Sequence, residues 1–256
     1  MACLGPNLHA MSGQKKAMQK EAVRAMTFDW TRRIFAETLG SAMLVATVVG
    51  SGIMADALSA DDGTALLGNT LSTGAILVVL ITLFGPVSGA HFNPVVSLVF
   101  ALRRELPWLL AGAYVLGQIV GGIAGCLLAN GMFDLPLFQI SHKARFGSGQ
   151  WLGESVATFG LVATILCGVR LRAEAMPVLV GLFITAAYWF TSSTSFANPA
   201  VAIARMFSDT FAGIRPADVP IFILAQTAGG LTAMVVVGWL LAPVDKSGHF
   251  PLSVDK

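Results

Sequence analysis

Two asparagine–proline pairs, Asn93-Pro94 and Asn198-Pro199, each open a short apolar run, Val95 onward in one case and Ala200-Val201 onward in the other. Proline is favoured at the first position of a helix, where its missing N–H is not needed. The asparagine before it can cap that helix, or offer amide N–H groups to the oxygen of a small solute. Two carboxylates, Glu37 and Glu154, stand inside apolar stretches, which by default signals function. They read either as a proton relay or as acceptors for buried backbone. His91, Gln118 and Gln226 complete the set of polar side chains in apolar surroundings. No nucleophile stands beside a base, no histidine pair has metal spacing, and no glycine loop suits a phosphate. Cys3, Cys126 and Cys167 are too scattered for a disulfide framework or a metal site. The residues therefore point to recognition without catalysis, metal or cofactor.

The elements that hold these residues must be membrane spans. Of 256 residues, 55% are hydrophobic and 12% charged, and the mean hydropathy is +0.74. A soluble domain carries about 25% charged residues. Half that leaves too little polar surface for a water-soluble enzyme, and disordered or nucleic-acid-binding chains need more charge still. The apolar stretches are continuous and close to the ~20 residues that let a helix cross a bilayer. An outer-membrane barrel would alternate apolar and polar residues instead. The expected fold class is an all-α membrane protein.

Six spans are expected near 34–55, 66–84, 108–132, 151–169, 176–190 and 219–241. Two runs, 93–102 and 198–207, are too short to cross and read as half-membrane helices. The chain divides into a tail (1–33), a first repeat (34–132), an outer connecting loop (133–150), a second repeat (151–242) and a second tail (243–256). With a cytoplasmic N-terminus, every Lys and Arg except Lys143, Arg145, Arg205 and Arg215 falls inside, which assigns both termini to the cytoplasm. The basic stretch 14–26 reads as a disordered tail, a mis-chosen start or an amphipathic helix on the inner leaflet. The first apolar run is long enough to stay as a span, so it is not a cleaved signal peptide.

The spans form two copies of three. Glu37 with Leu44-Val45-Ala46-Thr47 recurs as Glu154 with Leu161-Val162-Ala163-Thr164, and Gln118-x-x-Gly121-Gly122 recurs as Gln226-x-x-Gly229-Gly230. The Asn-Pro pairs keep the same order between them. An odd number of spans per copy inverts the second copy, which places a solute site at the pseudo-twofold near mid-membrane. The stripes Gly117, Gly121, Gly125 and Ala225, Gly229, Ala233 predict close helix contacts.

Ser88-Gly89-Ala90-His91-Phe92-Asn93-Pro94-Val95 and Ser195-Phe196-Ala197-Asn198-Pro199-Ala200 resemble the two signature loops of the aquaporin, or major intrinsic protein, family. The resemblance covers nearly all of the chain outside its tails. It implies six spans plus two half-helices in inverted repeats, and a passive channel for small neutral solutes. It also implies a homotetramer with one pore per subunit in the lipid bilayer. Asn93 and Asn198 would donate hydrogen bonds to the passing solute. Glu37 and Glu154 would accept from the loop backbones, His91 would brace its loop, and Gln118 and Gln226 would brace helix contacts or, less simply, line the pore. A secondary active transporter built on inverted repeats is the competing reading.

The chain also departs from the family pattern. Val201 stands where most members carry the arginine of the outer constriction, and Ala202 stands where glycerol facilitators carry an aspartate. Ser195 and Thr73 fall at two further constriction positions. The fourth is Tyr188 or Ala186, depending on register, with Tyr188 preferred. Such a filter is wider than that of a strict water channel. The Asn-Pro-Ala-Val form resembles bacterial members associated with arsenic resistance, which implies a bacterial inner membrane and neutral metalloid hydroxides such as arsenous acid beside water and glycerol-like solutes. Arg205, one helical turn past Val201, is expected either in the outer vestibule, partly replacing the missing charge, or among solvent and lipid headgroups.

Overall fold

The computed structural model describes residues 28–243. The basic stretch 14–26 and most of the second tail lie outside the described residues. Eight α-helices follow: α1 (Trp30–Leu58), α2 (Asp62–Ser88), α3 (Pro94–Leu102), α4 (Trp108–Met132), α5 (Ser148–Leu171), α6 (Met176–Phe190), α7 (Pro199–Arg205) and α8 (Val219–Leu240). Six are long and apolar enough to span, α6 and α8 with a short 3-10 turn at their start. The other two, α3 and α7, are the half-helices.

Side chains at the ends set the helix limits. Asp29 caps α1 by accepting from Arg32 N–H at 2.8 Å, and Asp61 caps α2 through Thr64 N–H at 2.8 Å and its hydroxyl at 2.7 Å. These caps start both helices several residues before the apolar stretches expected at 34 and 66. Gly89, in the left-handed region at φ 93°, ends α2 and donates to Gly85 O at 3.0 Å. The second half-helix is shorter than the 198–207 read from apolarity. It stops at Arg205, and Phe207 N–H folds back to Ala204 O at 3.1 Å.

The inverted repeat is visible in the packing. The helix α1 packs along α4 and α2, α5 along α8, and α2 against α6, while each half-helix touches both α4 and α8, the third helices of the two repeats. Glycines set the closest approaches. A Cβ on Gly121 would fall on the Thr38 carbonyl oxygen, and one on Gly229 would fall on that of Ser155. These two carbonyls belong to the residues just after Glu37 and Glu154, so the same contact that joins the helices fixes the height of each carboxylate. Gly122 and Gly230 make room for the opposite half-helix, against Ala200 O and Ala204 Cβ (each 3.3 Å from a built Cβ) and against Val95 Cγ1.

Small-residue contacts of this kind replace the hydrophobic drive that is absent between helices in lipid. Gly229→Ala is expected to push α8 off α5 and cost about 1–3 kcal/mol, the usual penalty of overpacking. Gly112→Ala, with nothing within 4 Å of its built Cβ, is expected to be neutral or stabilising by about 0.5–1 kcal/mol. Thermal unfolding of the two variants in detergent measures the difference.

Candidate functional site: a pore at the meeting of the half-helices

The loops before α3 and α7 share one backbone conformation. Ala90 and Phe92 take φ of 51° and 48°, and their counterparts Ser195 and Ala197 take 50° and 48°. A left-handed conformation costs an ordinary residue roughly 1–2 kcal/mol, so the surroundings must impose it. The buried carboxylates do so. Glu37 accepts from His91 N–H at 2.9 Å and Phe92 N–H at 2.6 Å. Glu154 accepts from Phe196 and Ala197 N–H, both at 2.9 Å. Gln118 Nε2 then donates to Glu37 at 2.8 Å and to Ser97 Oγ at 3.0 Å, and Gln226 Nε2 donates to Glu154 at 2.6 Å. Ser88 Oγ adds a donor to Glu37 at 2.6 Å. Both carboxylates are 0% exposed, behind their loops, and neither lines the cavity described below.

The two asparagines are locked to each other's loops. Asn93 Oδ1 accepts from Val95 N–H at 3.0 Å, and Asn198 Oδ1 accepts from Ala200 N–H at 3.0 Å, so each caps its own half-helix behind Pro94 or Pro199. Asn93 Nδ2 donates to Ala197 O, and Asn198 Nδ2 donates to Phe92 O, both at 2.7 Å. An amide has two N–H donors. One is therefore spent across the pseudo-twofold, and one per asparagine is left for the cavity that both line. The expectation of a whole NH₂ group aimed at the solute is corrected to a single N–H from each side.

The flanking side chains repeat this symmetry with substitutions. The His91 ring packs on Phe100 at 4.8 Å and meets Tyr114 edge-on at 5.6 Å, and its Nδ1 lies 3.1 Å from Ser97 Oγ. In the second repeat Phe196 takes the place of His91. It meets Phe222 edge-on at 5.4 Å, and the Arg205 guanidinium lies over its ring at 3.5 Å where Phe100 stands in the first repeat. Arg205 is 2% exposed, and its Nε donates to Ala212 O. Its side chain lies inside the protein, not among solvent or headgroups.

One cavity of about 510 Å³ connects these residues. It runs from Ala173, Met176 and Pro177 past Asn93 and Asn198 to Thr73, Tyr188, Ser195, Val201 and Arg205, with walls of Leu, Ile and Val. His91 also lines it, while Pro94, Val95, Pro199, Ala200, Gln118 and Gln226 lie behind the wall. Tyr188 is 3% exposed to solvent, whereas Ala186 faces the outer surface of α6. Thr73 Oγ1 donates to Asn69 O at 2.8 Å, so it must accept from the Tyr188 hydroxyl 3.2 Å away. That leaves the lone pairs of Tyr188 oxygen for the cavity. Ser195 Oγ has no protein partner.

Sequence reasoning missed Arg145 and Phe196. Arg145 sits in the connection between the repeats and is buried. It donates from Nε to Gly213 O at 2.8 Å, and its guanidinium lies 4.7 Å from the Phe196 ring centre. A loop arginine carries no periodic signal. Phe196 was legible only as part of a motif, although its alignment with His91 was available. Among the described residues, no cluster of His, Cys, Asp or Glu could hold a metal ion.

If the carboxylates impose the loop conformation, Glu154→Gln replaces one acceptor oxygen with a donor facing backbone N–H. The expected cost is about 1–3 kcal/mol, that of a buried group left unsatisfied. It would be read as a lower unfolding midpoint in detergent, with the exposed Glu105→Gln as the control that stays near wild type.

A family model described as major intrinsic protein matches residues 23–195. The chain is 62% identical to aquaglyceroporin AqpS of Rhizobium meliloti (strain 1021) over 216 residues, 84% of this chain and 93% of that protein. It is 28% identical to aquaporin NIP2-2 of Zea mays over 221 residues, 82% of this chain and 71% of that protein. Its fold is similar to the X-ray structure of the aquaglyceroporin from Plasmodium falciparum, with a TM-score of 0.66 and 18% identity, covering 81% of this chain and 95% of that one. With its paired half-helices, six spans and a cavity between them, this chain belongs to the major intrinsic protein family of membrane channels.

Proposed function

We propose that the chain is a passive pore for small uncharged solutes, passing water and glycerol-like polyols, with neutral metalloid hydroxides such as arsenous acid within its range. The carrying observation is the continuous cavity, apolar along most of its wall, into which a few polar groups converge: one N–H from each of Asn93 and Asn198, and the hydroxyl oxygen of Tyr188. Such a wall suits a solute with several hydroxyl groups on a compact apolar or metalloid centre. The similarity to a protein named an aquaglyceroporin supports polyols over water alone.

The selective point in this reading is the ring of Thr73, Tyr188, Ser195 and Val201. A valine there contributes no charge and a shorter side chain than arginine, so the ring is wider and less polar. Each half-helix directs about half a positive charge at the midplane, and a cation meets two such ends at Asn93 and Asn198. The remaining amide N–H groups take up lone pairs of passing water and interrupt its hydrogen-bonded chain.

Coupled transport fits less well. A proton relay needs carboxylates in contact with the transport path, and Glu37 and Glu154 are fully engaged by loop N–H and glutamine donors behind it. The exposed apolar side chains around the helices, Leu109 at 75% and Leu116 at 67% among them, suit lipid and three further copies, with one pore in each. We place the chain in a bacterial inner membrane with both termini cytoplasmic.

Stopped-flow permeability of proteoliposomes to water, glycerol and arsenous acid tests the reading. Wild type is expected to pass glycerol and arsenous acid without saturation and without response to a proton gradient. Val201→Arg is expected to reduce both by roughly tenfold or more, a barrier raised by about 1.4 kcal/mol, while keeping water flux, because the longer side chain narrows the ring. Flux that saturates and follows a proton gradient would establish the transporter instead. A wild type that passes water alone would reject the wide filter.

A further inference from the structure

The charges around Phe196 do not balance. Arg205 and Arg145 both lie over its ring, at 3.5 and 4.7 Å. Among the described residues, neither guanidinium has a carboxylate within 4.0 Å. The acceptors on Arg145 are neutral: Gly213 O, Ser193 O, Phe211 O and Thr194 Oγ1. Lys143 lies close by, with its ammonium on Phe211 O at 2.8 Å. The nearby acids are committed elsewhere. Glu154 holds the loop N–H groups and Gln226, Asp218 takes Arg145 backbone N–H and the Arg215 side chain, and Asp209 takes His142.

Arg205 differs from Arg145 in one respect. Its Nε is bonded to Ala212 O, but its two terminal nitrogens donate to no protein acceptor among the described residues. Neither is among the buried polar atoms sealed from solvent, and the residue lines the cavity. A guanidinium that is 98% or more covered thus stands at the cavity wall with two terminal nitrogens that no protein acceptor occupies. Two parallel N–H donors on a fixed cation match the two oxygens of a carboxylate or sulfonate.

We propose that the Arg205 end of the cavity is a binding site for a small singly charged oxyanion, held by the guanidinium donors that the protein leaves free. The site lies one helical turn, about 6 Å, outward of Val201. Bound there, the anion is partly neutralised by two guanidiniums. To move inward it must pass a ring that offers hydroxyls but no charge in exchange for its hydration, and a charge taken from water without a partner is strongly disfavoured. It therefore stays at Arg205 and obstructs neutral solutes arriving from that side. The obstruction rests on the channel reading above; the binding does not.

The test uses methanesulfonate, a permanent monoanion, against dimethyl sulfone, its neutral isostere, in proteoliposomes prepared in gluconate at constant ionic strength and osmolality. Glycerol flux through wild type is expected to fall saturably with methanesulfonate and to be unaffected by dimethyl sulfone. In Arg205→Gln, with inhibition normalised to the variant's own flux, the inhibition constant should rise roughly tenfold or more, as for the loss of a charge-assisted hydrogen bond. Arg205→Lys should fall between the two. Equal inhibition by the sulfone, no inhibition of wild type, or an unchanged constant in Arg205→Gln would each overturn the site, as would electrogenic passage of methanesulfonate. Should the variants not fold, the ionic and neutral probes on wild type still decide it. If glycerol flux itself is absent, the channel reading fails, and thermal stabilisation of the detergent-solubilised protein by methanesulfonate over the sulfone still tests the binding.

Discussion

Everything in this molecule depends on satisfying irregular backbone in the middle of a bilayer. Hydrocarbon offers no hydrogen bonds, so a loop at that depth survives only where protein or an enclosed aqueous path supplies them. Glu37 and Glu154 each accept two loop N–H groups, and the opposite asparagine donates to one loop carbonyl in each repeat. With those groups satisfied, the left-handed residues hold their shape, the half-helices stop at a fixed height, and a cavity remains between them. The glycines of α4 and α8 serve the same constraint from behind. They bring α1 and α5 close enough that a carboxylate reaches the loop without unfolding its own helix.

The two repeats keep this framework almost unchanged and differ in what surrounds it. On the first side the His91 ring packs on Phe100 and Tyr114, and the Arg33 guanidinium sits at the far end of Tyr114, bonded to its hydroxyl. On the second side Phe196, Arg205 and Phe222 occupy the equivalent places. A cation over an aromatic face keeps the stacking geometry and adds charge, so replacing Phe100 by its counterpart Arg205 does not require a different loop. The framework fixes the pore, and the substitutions around it make its two ends chemically unlike.

The framework was legible because repetition doubled every signal. One Asn-Pro pair or one buried glutamate has several readings; two of each, in the same order between glycine stripes, have few. The features that escaped were of another kind. Arg145 acts from a connecting loop, where no period marks it and only its contacts with Gly213 and Phe196 reveal it. The crossing hydrogen bonds of Asn93 and Asn198 link residues far apart in the chain, so the count of free N–H groups could not be read from either motif. Tyr188 and Ala186 differ by half a helical turn, and the length of the preceding loop did not settle the register. The solvent cap at Asp61 extended α2 beyond its apolar stretch because capping, unlike hydropathy, acts in water.

The position of the positive charge distinguishes this pore from one with arginine directly after the second Asn-Pro-Ala. A guanidinium at Val201 would combine the narrowest width and the strongest field at one level. Here the two are separated by one turn of α7. In the proposed pore, the ring at Val201 discriminates by width and by the Tyr188 hydroxyl, while the field is strongest one turn further on, at Arg205, whose guanidinium lines the cavity with its plane on Phe196 and its Nε tied to Ala212 O. The charge still opposes cations, because Coulomb repulsion in a low-dielectric wall extends over more than one helical turn. Separation thus permits a wider passage for neutral solutes without removing the electrostatic barrier. A polar, compact molecule with several hydroxyls is favoured by that arrangement, since it needs room at the ring and has no charge to meet the field.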